Sequence, residues 1–245
     1  MCGRFTREMT WADVVAFSRG LDLAVPPDDP IRSWNVCPTQ SSPVLLPGDG
    51  TRTARVEDMR WGLLPPWAKD AKVGASMINA RLETVADKPA FRNAWRARRC
   101  LVPVSSYYEW RLEAGVKQPY RIHDPDSPVL MLAGLWERWK APDGDWLHTF
   151  ATITCAAMDP MAQLHDRTPL MLPSEMLGDW LHGTVEDAAR IASIVEPPAL
   201  AWYPVSRAVS NPRNDDPRLV EPVAVPADDA GPAPAAVSGT SGSLF

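Results

Sequence analysis

The chain has 245 residues, 45% of them hydrophobic and 22% charged, and carries a net charge of −5. That length supports one sizeable core, and with no apolar run long enough to span a bilayer, a helical membrane protein is excluded. The acidic balance also excludes a protein that coats DNA regardless of sequence, although it leaves room for a local arginine-lined groove.

Thr10 is predicted to cap a first helix through Arg19, with Asp13 in its first turn and Gly20 as its stop. Trp11, Val14, Val15 and, less regularly, Phe17 mark its packed face. Val25–Pro30 reads as a loop, and Val44–Leu46 as a short buried strand. Pro89 opens a predicted second helix to about Arg98, with Phe91, Ala94 and Trp95 on one face and a solvated basic face of Arg92, Arg96 and Arg99. Strand-like runs follow at Cys100–Val104, Tyr107–Arg111, Pro119–Ile122, Val129–Trp136 and Leu147–Cys155, with a turn at Pro142–Asp145 between the last two. Later helices are expected after Asp159-Pro160, from Ser174 to His182 and from Thr184 to Ile194. Strands in the middle and helices at the flanks predict an α+β domain with a mainly antiparallel, barrel-like sheet. The folded domain runs to about Pro222. Residues 223–245 are rich in Ala, Pro, Gly and Ser and read as a disordered tail.

The opening MCGRFTREM has no basic region followed by an apolar stretch, so it is not read as a signal peptide, and the expected compartment is the cytoplasm. Cys2, Cys37, Cys100 and Cys155 form no C-x-x-C pair and no Cys/His cluster with zinc spacing. Free thiols are therefore expected, with no metal and no organic cofactor. Cys2 follows Met1 directly. Removal of Met1 leaves an α-amine and a thiol on adjacent carbons, a 1,2-aminothiol. Its amine, with an ordinary pKa near ~8, is partly neutral at pH 7 and attacks aldehydes to form a Schiff base. The thiol then closes on the imine carbon as a thiazolidine. Taken alone, Cys2 reads more simply as a small residue near a frayed terminus.

Seven motifs occur in order: MCGRF at the start, WNVCP at Trp34–Pro38, RWGLLPPWA at Arg60–Ala68, INARLET at Ile78–Thr84, YYEWR at Tyr107–Arg111, LHDRTP at Leu164–Pro169 and PVSRAVSNPRND at Pro204–Asp215. With this set the chain resembles the SRAP family, named for SOS-response-associated peptidase, from Met1 to about Pro222. The resemblance implies a single α+β domain with a barrel-like core. It also implies a partner, an abasic site in single-stranded DNA or at a single-strand/double-strand junction, whose ring-opened sugar exposes an aldehyde. The expected product is a thiazolidine crosslink through Cys2 that shields the lesion. A monomer, bound to the nucleoid when on DNA, is expected.

The same resemblance assigns the residues. Asn79 is expected to hold the new N-terminus, and Glu109 to relay protons. His165 is expected to act in opening the sugar ring and in reversing the crosslink. Arg4, Arg81 and Arg167 lie within two residues of these groups and suit phosphate. Thr154, Asn35 and Pro38 line the groove, and Trp67 is the apolar wedge at the lesion. Two departures stand out: Cys37 replaces the alanine of some relatives, and Ser105-Ser106-Tyr107 stands where many carry glycine. Two other readings stay open. One is an N-terminal-cysteine peptidase or amidase, including self-catalysed removal of Met1. The other is a DNA-binding module that never reacts. A Schiff base would also permit weak strand cleavage by β-elimination.

Overall fold

The computed structural model describes residues 2–224, so Met1 and nearly all of the expected tail lie outside the described residues. The strands are β1 Phe5–Arg7, β2 Asp22–Ala24, β3 Ser33–Val36, β4 Ser41–Pro47, β5 Thr53–Trp61, β6 Asn79–Arg81, β7 Arg99–Val104, β8 Ser106–Glu113, β9 Val116–His123, β10 Leu130–Lys140, β11 Trp146–Ala156, β12 Arg167–Pro169 and β13 Ala201–Pro204. The helices are α1 Trp11–Phe17, α2 Arg92–Ala97, α3 Leu177–His182 and α4 Val185–Ile194.

β5, β4, β7, β10 and β11 are neighbours in that order, and β11 returns to pair with β5, at Thr149↔Arg60 and Phe150↔Trp61. The five strands thus close into a barrel, which removes exposed edges. Most pairings are antiparallel, as expected, but β2–β5, β5–β11 and β6–β11 are parallel. A second sheet, in the order β13-β9-β8-β1-β3, lies beside the barrel.

Alternation along the barrel strands divides the core. Leu45, Leu101, Met131, Ala133, Leu135, Ala151 and Ile153 pack with helix residues Trp11, Val14, Trp95, Trp180 and Ile191. Their neighbours Leu46, Val102, Leu132 and Phe150 pack instead with Phe5, Val36, Tyr107 and Ile122 of the second sheet, and Cys2 lies in this second cluster. The hairpin from β10 to β11 turns at Gly144, whose φ of 100° suits glycine.

Both Thr10 and Thr184 form the reciprocal cap with an aspartate three residues on, fixing the starts of α1 and α4. The predicted helix ends shift. The first helix stops at Phe17, and Val15 is 45% exposed rather than packed. The second begins at Arg92, three residues after Pro89. After Asp159-Pro160 the chain makes only a short 3-10 turn, Met161–Gln163.

Arg99 does not belong to a solvated helix face: it opens β7 and is buried. Its Nε donates to the Trp180 carbonyl at 2.8 Å, its Nη1 to Trp95 and Arg96 at 3.2 and 3.3 Å, and its Nη2 to Gly183. These acceptors lie at the C-terminal ends of α2 and α3, where orphan carbonyls and the helix dipole favour a cation. Arg99→Met leaves four carbonyl oxygens, two of them in buried bonds, without this donor. A loss of roughly 3 kcal/mol in urea-unfolding free energy is expected, and a loss below about 1 kcal/mol would refute the assignment.

Candidate active site

β1 pairs with β8 at Phe5↔Tyr107 and Thr6↔Ser106, and the Tyr108 amide donates to the Arg4 carbonyl at 3.0 Å. This pairing brings the N-terminus alongside β8. Tyr108 and Trp110 face the C-terminal segment, packing with Val205, Val209 and Leu219. Strand alternation therefore turns Glu109 the other way, and it is 2% exposed.

Asn79 reaches the same place from β6, which pairs with β11 at Thr152↔Asn79. Its Nδ2 donates to the Cys2 carbonyl at 2.7 Å, and Thr152 Oγ1 donates to its Oδ1. The amide orientation follows from chemistry. A carbonyl accepts only, so Nδ2 must face Cys2 and the hydroxyl must serve Oδ1. Asn79 thus grips the residue that would become the N-terminus. Cys2 is 1% exposed.

His165 completes the group from the loop between β11 and β12. Its Nε2 lies 3.8 Å from Glu109 Oε2. Its Nδ1 accepts the Arg167 amide at 2.9 Å, so the neutral ring carries its proton on Nε2, toward Glu109. Asp166 Oδ1 also lies 2.9 Å from Nδ1 and favours a proton there, but that side chain is 85% exposed and its charge is screened. Burial outweighs it and pushes the His165 pKa below its ordinary value.

Burial acts on the acids in the opposite direction. It raises the Glu109 carboxyl to about 7, so both of its protonation states are populated near neutrality. Burial, and next the charge of Glu109, push the Cys2 thiol well above its usual range. At neutral pH Cys2 is therefore a thiol and not a thiolate. An enzyme whose first step is thiolate attack on a peptide needs the reverse shift.

Comparison with known proteins shows the family of the chain. A family model described as SOS response associated peptidase (SRAP) matches residues 1–212. The chain belongs to the SRAP family. It is 38% identical over 225 residues to abasic site processing protein YoqW of Bacillus subtilis, covering 90% of this chain and 99% of that protein. To abasic site processing protein YedK of Escherichia coli it is 32% identical over 233 residues, covering 91% and 100%. A crystal structure of a protein from Bacteroides thetaiotaomicron superposes with a TM-score of 0.72 at 25% identity, covering 91% of this chain and 100% of that one.

The remaining positions expected from the SRAP resemblance divide by exposure. Arg81 and Trp67 are exposed, Trp67 by 58%, and Pro38 is half-buried beside Thr39, whose φ of 73° is unusual for a β-branched residue. Asn35 and Thr154 are buried, at 1% and 0%. The Asn35 amide donates to the carbonyls of Val209, Asn211 and Asn214, and its Oδ1 accepts from Arg4 Nη1 at 2.8 Å. Arg4 Nη1 also donates to the Val209 carbonyl at 2.7 Å. Arg4 and Asn35 thus fasten the C-terminal segment to the site. Arg167 is held by Glu83 and by the Thr154 carbonyl.

Sequence reasoning did not single out Thr152, which orients Asn79, or Glu83, which grips Arg167. The signal for Thr152 was present: it precedes Thr154 by two residues on one strand and so shares its face. Tyr107, hydrogen-bonded to Thr168 at 3.1 Å, closes the site from behind in the Cys2 cluster. All four cysteines are free. Among the described residues, no cluster of His, Cys, Asp and Glu could hold a metal, and no helix is long and apolar enough to cross a membrane.

Proposed function

We propose that this SRAP chain captures abasic sites in single-stranded DNA, or at a single-strand/double-strand junction, as a covalent thiazolidine on Cys2. The observation that carries the reading is the constellation around Cys2: Asn79 on its carbonyl and Glu109, a carboxyl titrating near neutrality, facing His165.

Removal of Met1 frees the Cys2 amine. His165, with its proton on Nε2, and Glu109 shuttle a proton as the sugar ring opens to its aldehyde. The amine nitrogen bonds to C1′, giving a carbinolamine. Protonated Glu109 donates to the departing hydroxyl, and water leaves as the imine forms. The thiol then adds: sulfur bonds to C1′, and its proton reaches the former imine nitrogen through Glu109. One water is lost overall. A thiol that stays neutral until this last step fits the order, because the amine must react first. Weak β-elimination from the imine is the expected side reaction.

Arg81 and Trp67 reach solvent and are the direct DNA contacts in this reading, for phosphate and for the space of the missing base. Pro38 borders the groove, and Arg4, Asn35, Thr154 and Arg167 shape it from beneath. The protein acts as a monomer in the cytoplasm, on the nucleoid when bound.

The reading requires an aldehyde. Met1-free protein mixed with an abasic single strand should give a band that survives boiling in denaturant. The same strand with its aldehyde reduced to an alcohol by borohydride should give none. Equal adducts on both strands would rule the mechanism out.

A further inference from the structure

Arg167 has two prongs, and one carboxylate occupies both. Its Nη1 meets Glu83 Oε1 at 2.5 Å, and its Nη2 meets Glu83 Oε2 at 2.9 Å. Nη2 also donates to the Thr154 carbonyl at 2.6 Å. The Arg167 side chain is 12% exposed and that of Glu83 50%, so the carboxylate end is open to water; the bidentate geometry is what sets the pair above an ordinary surface ion pair.

The location of this pair gives it consequence. Glu83 sits in the 3-10 turn Leu82–Thr84, directly after β6, the strand that begins with Asn79. Arg167 begins β12, and its own amide sets the His165 tautomer. β6 runs parallel to β11 and β12 antiparallel to it, and both are in register with Thr154. The Glu83–Arg167 pair therefore spans β11 and joins the short strand that presents Asn79 to the short strand that presents His165. Each is only three residues long, too short to be rigid alone.

We infer that Glu83 is a positioning residue, which holds Arg167 as a strut so that His165 and Asn79 keep a fixed separation across Cys2. The inference deepens the proposed function and rests on it for its kinetic consequence only. Arg167 is then a brace first and a phosphate ligand second, with Arg81 the arginine left for phosphate.

The test uses Met1-free full-length Glu83→Gln, which keeps the shape of the side chain and removes its charge. Crosslinking of already-bound abasic strand should slow about tenfold, while Kd for an unreactive tetrahydrofuran abasic strand stays within about twofold. Without DNA, nitrogen NMR of His165 should show one tautomer, protonated on Nε2, in the parent and a mixture in the variant. Three results would overturn the inference: severalfold tighter DNA binding, meaning that Glu83 merely masks a phosphate-binding arginine; an unchanged rate with only a lower Tm, meaning a purely structural pair; or an unchanged tautomer. If the parent itself gives no adduct, the proposed function fails, and the tautomer measurement still decides the role of Glu83.

Discussion

Cys2→Ser protein freed of Met1 should bind abasic single strands with unchanged affinity, yet the yield of denaturant-stable adduct should fall by at least about a hundredfold. Parent and variant differ in one atom. The serine amine still forms an imine, but its hydroxyl closes only to an oxazolidine, which reopens readily. The Asn79 bond to the carbonyl of residue 2 is untouched, because it involves the backbone. Borohydride added during the reaction should trap the serine imine and restore a band. Stable adduct at parental yield from Cys2→Ser, without reductant, would contradict a thiazolidine.

Glu109→Gln should slow crosslinking by roughly 100- to 1,000-fold, the usual worth of a positioned general acid and base. The same variant should be more stable than the parent in alkaline buffer. The sign follows from linkage. Burial raises the native carboxyl from 4.5 to about 7, so between those values the native state holds a proton that the unfolded chain has released. Stability therefore falls as pH rises through that window and stays lowered above it. Its full size is roughly 3 kcal/mol, from about 2.5 pKa units at 1.36 kcal/mol each. Glutamine has no charge to bury. Thermal unfolding at pH 8 should favour Glu109→Gln, and the advantage should vanish near pH 4.5. A variant less stable by the same amount at both pH values would mean that Glu109 is only a hydrogen-bonding core residue. Gain of stability with loss of activity is the expected mark of a strained functional group.

Much of this arrangement is legible in the chain. The runs that became β7 to β11 are long enough for alternation to show, and the two Thr-x-x-Asp caps locate helices by local chemistry alone. The α+β barrel followed from their order. β6 and β12 were not legible, because three residues carry no readable period and are extended only through pairing with β11. Arg99 looked like a member of a basic helix face. Its burial depends on carbonyls from two helices, one more than 80 residues away, that no local pattern reveals. Motif matching named Asn35 and Thr154 beside Trp67, but the first two are buried and Trp67 is exposed, a difference that motif membership does not carry. The partners Thr152 and Glu83 emerged only once β11 had drawn β6 and β12 together.

Covalent capture rests on one bond pair, from the nitrogen and sulfur of Cys2 to a single sugar carbon. Intact mass of Met1-free protein after mixing with a uracil-containing single strand treated with uracil glycosylase tests it most directly. One stable species is expected, at the mass of the Met1-free protein plus the abasic strand minus one water. Protein confirmed to lack Met1 that shows only its own mass after such mixing would contradict covalent capture.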